Sequence, residues 1–352
     1  MIEILTSGVA LGVHVPGLLL ADRIRERGGE AGVTVLERLL PDHKRVTTEK
    51  MKWAFHRDFR VALTGQRIAT NPAEVAAEEA VEKLFASWRE RRVGTLVVFS
   101  GFWLPLVARY VAESGPPPRV HLCHVDSVTS PSFLRTEVTG LDVTTVRLAD
   151  AERGTIPCSI PVGREPAVPW AGRGQRLLVH GGGWGMGTYR ERARELSARG
   201  FALDVVAYEA RDVTDEAGVR YHMVDPAWHP WLDDGYPPFG RVRPGEPTHY
   251  TRGAGHHGSF DLARSAIAMV SKPGGGTLLD SLWSATPMVF LEPFGDHERR
   301  NAELWERLGF GVTLARWRET GFAVEVLHEA HRRLLRATAD VPDYSTILTE
   351  TC

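Results

Sequence analysis

Three consecutive glycines in the C-terminal third of the sequence have the type and spacing of a phosphate-binding turn. An apolar run at residues 266–270 precedes them, and a helix is predicted to begin directly after them at Thr277. Glycines let a ligand approach the backbone closely, and the first N–H groups of a helix have no partners inside the helix. The turn formed by Gly274, Gly275 and Gly276 is therefore predicted to bind a diphosphate, the alternative being an ordinary tight turn.

Charged residues on either side of this turn extend the predicted site. Asp280 lies about one turn into the helix, where its carboxylate could accept hydrogen bonds from ribose hydroxyls. Lys272, or a nearby arginine, could stabilise a departing diphosphate. The next apolar run is followed by three polar residues suited to the hydroxyls of a sugar ring: Asp296, His297 and Glu298. The alternative for these three is a solvated helix start.

The elements that position these residues follow a repeated strand, loop and helix order. Short apolar runs at residues 2–5, 95–98 and 119–125 are each bounded by loop residues, and helical spacing follows the first two. The same cycle restarts at residue 176. This alternation predicts an α/β fold with two domains, each a parallel sheet covered by helices.

A change of composition separates the two predicted domains. Residues 163–175 are rich in proline and glycine and are predicted to be a linker. The predicted domains are residues 1–162 and 176–335, and residues 336–352 form a C-terminal tail that could pack back on the first domain. Residues 225–259 are rich in Pro, Gly, His and aromatic residues without a regular period, which favours a mobile loop near the active site.

The Gly274 and Asp280 spacing resembles the donor site of nucleotide-sugar glycosyltransferases with the GT-B fold. The similar families are the UDP- and TDP-sugar transferases of secondary metabolism and the N-acetylglucosaminyl transferase of peptidoglycan synthesis. Asp280 replaces the commoner glutamate, and Asp296, His297 and Glu298 resemble the acid-plus-Gln pair of these families with the spacing shifted by one and without the glutamine. The resemblance implies two facing Rossmann-like domains with a cleft between them.

The resemblance also implies roles for residues of the first domain. Residues 7–28 are similar to the first strand-loop-helix of the family, and His14 falls on the loop position where many members keep the base that deprotonates the acceptor. An imidazole that titrates near neutral pH suits this reaction. Asp126 is the candidate that orients His14. The predicted acceptor side contains four further residues: Gly12, Ser100, Gly101 and His124.

A second glycine-rich turn, at residues 180–188, could face the donor phosphates or contact the acceptor, and we assign Gly183 to the donor side. Its spacing disfavours a nicotinamide fingerprint, although Glu209 follows the next strand. A P-loop is excluded because no Gly-Lys-Ser/Thr ends the turn, and an esterase is excluded because no serine lies in a Gly-x-Ser-x-Gly motif. No metal is expected, since the sequence lacks an Asp-x-Asp triplet.

The composition limits the partners of the chain. Lys and Arg number 42 against 44 Asp and Glu, and without a basic run the sequence offers no nucleic-acid surface. Three separated cysteines and the absence of a signal peptide or apolar span favour a cytoplasmic protein. A homodimer is left open.

Together these patterns predict an inverting, metal-independent glycosyltransferase without a cofactor. It would use UDP- or TDP-sugar as co-substrate and a small-molecule acceptor, in natural-product biosynthesis. One alternative keeps the fold and changes the reaction, as a nucleotide-sugar hydrolase or a sugar 2-epimerase. Another is a non-catalytic partner protein that only binds a nucleotide sugar.

Overall fold

The computed structural model describes residues 1–9, 11–68, 70–136 and 139–350, with the side chains of residues 66–68 excepted. Its strands are β1 Ile2–Thr6, β2 Ala31–Val35, β3 Thr95–Val98, β4 Arg119–His124, β5 Thr144–Arg147, β6 Arg176–His180, β7 Ala202–Ala207, β8 Val219–Val224, β9 Phe239–Val242, β10 Ala268–Ser271, β11 Met288–Phe290 and β12 Gly311–Thr313. Its helices are α1 Leu11–Glu26, α2 Asp42–Arg57, α3 Phe59–Ile68, α4 Glu78–Glu90, α5 Leu104–Glu113, α6 Pro131–Leu134, α7 Tyr189–Ala198, α8 Ser259–Ser265, α9 Gly275–Ser284, α10 Asp296–Leu308, α11 Leu314–Glu319, α12 Val324–Asp340 and α13 Tyr344–Glu350.

The first sheet contains five strands in the order β2-β1-β3-β4-β5, and all its neighbouring pairs are parallel. Strands β1 and β3 are short runs of mainly β-branched and leucine residues that are buried along their whole length. Helices cover both faces, and α5 packs a large aromatic core that includes Trp88, Trp103 and Tyr110. This is the sheet that the strand and helix alternation predicts.

The second sheet contains seven strands in the order β12-β11-β10-β6-β7-β8-β9. Its first six strands are parallel, and β9 pairs antiparallel with β8 as an edge strand. Strands β10 and β6 are neighbours at the centre, so the loops after Ser271 and His180 leave the sheet side by side. Because the carboxyl ends of parallel strands meet at one edge, both glycine-rich turns lie at that edge.

The segment 225–259 is more regular than its sequence pattern predicts. It contains β9, which pairs with β8, and a further bridge between Phe239 and Thr251. The aperiodic composition hides this strand because β9 is short and glycine-containing and lies at the sheet edge. The residues of this segment before β9 pack on the first half of the chain. Asp234 pairs with Arg38 at 2.5 Å, and the Tyr236 hydroxyl donates to Asp22 at 2.8 Å.

The first half of the chain, residues 1–162, and the second half, from residue 176 onward, contact each other at several places. Helix α1 packs against α9, and the C-terminal helix α13 packs against α1. The residues before α13 also touch the first half, because Arg27 pairs with Asp343 at 2.6 Å and the backbone N–H of Ser159 donates to Pro342. Among the described residues, no helix is both long and apolar enough to cross a bilayer.

Candidate functional site

A cleft of about 400 Å³ lies between the two halves, at the carboxyl ends of both sheets. Its first-half wall is mainly apolar, with Leu11, Val13, Phe55 and Phe102 among its residues. Its second-half wall contains both glycine-rich turns and most of the charged groups. A mainly apolar cleft with a few convergent polar groups is the usual form of a small-molecule site.

The glycines at the start of α9 bring the two halves into close contact. The helix begins at Gly275, two residues before the predicted start at Thr277, and Gly274 precedes it in an extended conformation. A Cβ atom on Gly275 would lie 2.9 Å from Asp126 Oδ1, and one on Gly276 would lie 3.2 Å from Gly12 Cα. The helix N-terminus therefore faces the cleft between the halves.

Lys272 holds its ammonium group between the two glycine-rich turns. A Cβ atom on Gly182 would lie 3.3 Å from Nζ of Lys272, and one on Gly274 would lie 3.8 Å from it. Nζ pairs with Glu298 Oε1 at 2.5 Å, and both side chains are buried. Glu298 Oε2 accepts from the backbone N–H of Phe294 at 2.7 Å. Both oxygens of the Glu298 carboxylate therefore have protein partners, whereas the sequence predicted that Glu298 contacts the sugar directly.

Asp280 lines the cleft, and its carboxylate is held by His257, which comes from the segment 225–259. Oδ1 of Asp280 lies 3.0 Å from Nε2 of His257, and Nδ1 of His257 lies 2.8 Å from the Ser259 hydroxyl. Burial lowers the pKa of His257, but the charge and hydrogen bond of Asp280, together with the charge of Asp261, outweigh this effect and raise the pKa above its ordinary value. The Asp280 carboxylate therefore lies beside a hydrogen-bond donor.

The remaining predicted donor residues differ in position. Gly183, Thr277 and His297 line the cleft. Asp296 does not line it among the described residues, because its exposed side chain pairs with Arg299 at 2.5 Å. The structure therefore does not support the predicted contact between Asp296 and a sugar in the cleft. The first position of a surface helix favours a solvated carboxylate paired with an arginine three residues later.

His14 lies inside α1, not on a loop as the sequence resemblance implies. Its Nδ1 bonds the Thr6 hydroxyl at 3.0 Å, and its Nε2 has no hydrogen-bond partner within the described part of the chain. Only 1% of its surface is exposed, and the ring centroid of Trp228 lies 6.3 Å away. Burial, with a smaller contribution from Arg38, lowers the pKa of His14 to about 3. His14 is therefore neutral at pH 7 and covered.

Asp126 bonds across the two halves and does not orient His14. Its Oδ1 accepts a hydrogen bond from Asn301 Nδ2 at 2.8 Å, whereas Nδ1 of His14 bonds Thr6. The predicted pair of Asp126 and His14 is therefore not formed. Asn301 is fully buried, and it also donates to Pro273 O at 2.9 Å and accepts from Ser127 N at 2.8 Å. Asn301 thus fixes the residue before the Gly274 turn to the first half.

Three of the predicted acceptor residues lie behind the cleft wall. Ser100, Gly101 and His124 are buried and are not among the described residues that line the cleft. A Cβ atom on Gly101 would lie 2.4 Å from Phe133 Cα, and the His124 ring packs 4.4 Å from the Phe133 ring, so these positions support packing. The short helix α6 stands between them and the cleft. Gly12, by contrast, lines the cleft.

One group in the described residues has the spacing of metal ligands. His56, Glu209 and Asp212 place ligand atoms within 4.8 Å of one another. Arg190 approaches His56 Nε2 at 3.5 Å and Asp212 at 3.4 Å, and Arg57 pairs with Glu209 at 2.8 Å. These guanidinium groups supply the positive charge that a cation would bring, and the group links α2 to the second half.

The similarities found are structural. No protein-family model matches the chain, and no curated protein sequence matches it. The glycosyltransferase SnogD from Streptomyces nogalater aligns with a TM-score of 0.56 and 15% identity over 99% of this chain and 98% of its own. SsfS6 from Streptomyces sp. SF2575, solved with thymidine diphosphate, gives 0.56 and 15% over 100% of both chains.

CalG4, the calicheamicin glycosyltransferase, aligns with a TM-score of 0.56 and 13% identity over 99% of this chain and 97% of its own. Each of these alignments spans both sheets and the cleft between them. The prediction of two facing Rossmann-like domains is confirmed. The chain therefore has the GT-B fold shared by these solved glycosyltransferases.

Proposed function

We propose that the chain is an inverting, metal-independent glycosyltransferase that moves a sugar from a UDP- or TDP-sugar to a small apolar acceptor. The observation that carries this proposal is the meeting of three groups at one cleft. The N-terminus of α9, the Lys272 ammonium and the Asp280 carboxylate surround a space bounded by two glycine-rich turns. The shared fold, and the thymidine diphosphate bound to SsfS6, support the same assignment.

The donor diphosphate would lie at the start of α9, whose first backbone N–H groups point out of the N-terminal end of the helix and have no carbonyl partner within it. Lys272 would exchange its Glu298 partner for a phosphate oxygen as the nucleotide binds. This exchange would free one oxygen of Glu298 to accept a hydrogen bond from a hydroxyl of the transferred sugar. The positive charge then lies where the leaving diphosphate gains negative charge, so no metal is required.

The reaction would be a single displacement at the anomeric carbon. The acceptor oxygen forms the new bond to that carbon while the bond to the β-phosphate oxygen breaks, and the electron pair leaves with the nucleoside diphosphate. Nε2 of neutral His14 would take the acceptor proton. Because Trp228 covers His14, the segment 225–236 must move aside for the acceptor to reach it. One displacement inverts the anomeric centre.

The acceptor wall supports a small, mainly apolar acceptor. Leu11, Val13, Met51, Phe55 and Phe102 line this part of the cleft. Such a wall would exclude water around the reacting atoms, which would protect the donor from hydrolysis. Biosynthesis of a natural product would provide acceptors of this kind.

A thermal-shift and activity screen tests the proposal. UDP, TDP, GDP and their sugars are added to the protein, and a ligand bound only by the folded state raises its melting temperature. We expect UDP or TDP to raise it without Mg²⁺. No response to any nucleotide would refute the assignment.

The rival activities are separated by a second measurement. Rapid release of nucleotide from its sugar without acceptor would favour a hydrolase, and a changed sugar would favour an epimerase. His14→Gln is expected to lower transfer by about 10²-fold or more while TDP binding stays unchanged. Unchanged transfer would support another base, and absence of any turnover in the native protein would favour a non-catalytic partner.

A further inference from the structure

His257 lines the cleft but has no role in the reaction proposed above. It lies in the loop before α8, and 23 residues separate it from Asp280 in sequence. Its side chain is 9% exposed, and that of Asp280 is 16% exposed. Both residues line the cleft. The pair is therefore nearly enclosed, with its open side toward the space for the donor.

The hydrogen bonds of His257 hold one oxygen of the carboxylate and leave the other free. Nε2 of His257 donates to Oδ1 of Asp280 at 3.0 Å, and no described side chain donates a hydrogen bond to Oδ2. On the opposite side of the ring, Nδ1 lies 2.8 Å from the Ser259 hydroxyl. A hydroxyl can donate to neutral imidazole or accept from protonated imidazole, so both forms of His257 keep two partners.

The loop that carries His257 is itself fixed from the first half of the chain. Arg23 of α1 donates to Gly255 O at 2.5 Å and to Val162 O at 3.3 Å. The Tyr236 hydroxyl lies 3.4 Å from the same Gly255 oxygen. Gly255 stands two residues before His257, so the position of the imidazole depends on helix α1 of the opposite half.

The position of Asp280 relative to the diphosphate indicates which part of the donor it meets. Asp280 follows Gly275 by five residues in α9. At about 1.5 Å per residue, its Cα lies about 7.5 Å along the helix axis from the helix start. A diphosphate at the helix start therefore places the pentose, and not the phosphates, beside the free carboxylate oxygen.

We infer that His257 is a positioning residue that holds the Asp280 carboxylate toward the pentose hydroxyls of the donor nucleotide. This inference rests on the proposed function and adds a residue to its donor site. The imidazole stops the short aspartate side chain from rotating, so that Oδ2 faces the ligand before the ligand arrives. Pre-organisation of this kind lowers the ordering cost of binding.

Calorimetric titration with three ligands tests the inference. The ligands are TDP, inorganic pyrophosphate and 2′,3′-dideoxythymidine 5′-diphosphate, which lacks the 3′-hydroxyl, the single free pentose hydroxyl of TDP. We expect His257→Ala to weaken TDP binding about tenfold or more, because a hydrogen bond to a carboxylate loses its fixed geometry. The dideoxy analogue and pyrophosphate should bind the variant and the native protein equally.

Two further variants keep the test decisive if His257→Ala fails to fold. His257→Gln keeps a side-chain N–H donor and should recover part of the TDP affinity. Ser259→Ala removes the partner of Nδ1 and should cause a smaller loss, again confined to TDP. Equal losses for TDP and the dideoxy analogue, in any of these variants, would show a general structural role and overturn the inference.

The matched control is a histidine and aspartate pair away from the cleft. His222 Nε2 lies 3.2 Å from Asp204 Oδ1 in the same half, and neither residue is among the described residues that line the cleft. His222→Ala should leave the affinities for all three ligands unchanged. Failure of the native protein to bind TDP or UDP would refute the proposed function. An unchanged TDP affinity in His257→Ala would refute this inference alone.

Discussion

Asn301→Asp is the substitution that tests the contact between the two halves most directly. The side chain keeps its size, but an oxygen replaces the amide nitrogen that donates to Asp126 Oδ1 at 2.8 Å and to Pro273 O at 2.9 Å. The new carboxylate then faces the Asp126 carboxylate in a fully buried position. The other oxygen can still accept from the backbone N–H of Ser127.

The size of the effect follows from the distance. Two carboxylates about 2.8 Å apart would repel by about 6 kcal/mol at an effective dielectric constant of about 20. A cheaper outcome is the uptake of one proton, which lets an O–H group replace the lost N–H donor. At pH 7, protonating a carboxyl group of ordinary pKa about 4 costs about 4 kcal/mol. This cost falls by about 1.4 kcal/mol for each pH unit toward acid.

Urea unfolding of the variant and the native protein, compared at each pH from 5 to 8, measures this difference. We expect the difference in unfolding free energy to be about 4 kcal/mol near pH 7 and about 1.4 kcal/mol at pH 5. Asn301→Ala, the control, loses the same hydrogen bonds without adding a charge, so its difference should not vary with pH. A pH-independent loss in Asn301→Asp, or no loss, would refute the proposed coupling of these side chains.

Four further predictions concern the donor site, the buried His14 and the need for a metal. Lys272→Met should weaken TDP binding about tenfold or more, as titration calorimetry would measure, and unchanged affinity would remove Lys272 from the donor site. Glu298→Gln frees Lys272 from its partner, so TDP should bind at least as tightly while transfer of the sugar slows; weaker TDP binding would contradict the exchange of partners. The pKa of His14 is lowered to about 3, so as pH falls below about 6.5 the unfolded state takes up a proton that the folded state does not, and stability decreases. Native protein should lose about 1.6 kcal/mol between pH 6.5 and 5 through this residue, and urea unfolding of His14→Gln should lack that loss. Finally, EDTA should leave transfer unchanged, and activity that EDTA abolishes and Mg²⁺ restores would contradict a metal-independent reaction.

The sequence alone determined the features that arise from local pattern. Short, mainly apolar runs predict parallel strands, and those strands are found at β1, β3, β4, β6 and β10. The turn at Gly274 followed by a helix is also a local signal, and only its helix start was misplaced, by two residues. Such features depend on neighbours in the chain, so they can be read without knowing how the halves pack.

The tertiary structure decided how the side chains at the cleft are paired. Lys272 and Glu298, His257 and Asp280, and Asn301 and Asp126 are each separated by more than twenty residues, and no periodic pattern links them. Burial likewise separates His14 from the cleft, because the covering Trp228 comes from the opposite half of the chain. A pairing of this kind depends on distances and desolvation set by packing between domains, which residue type and spacing do not encode locally.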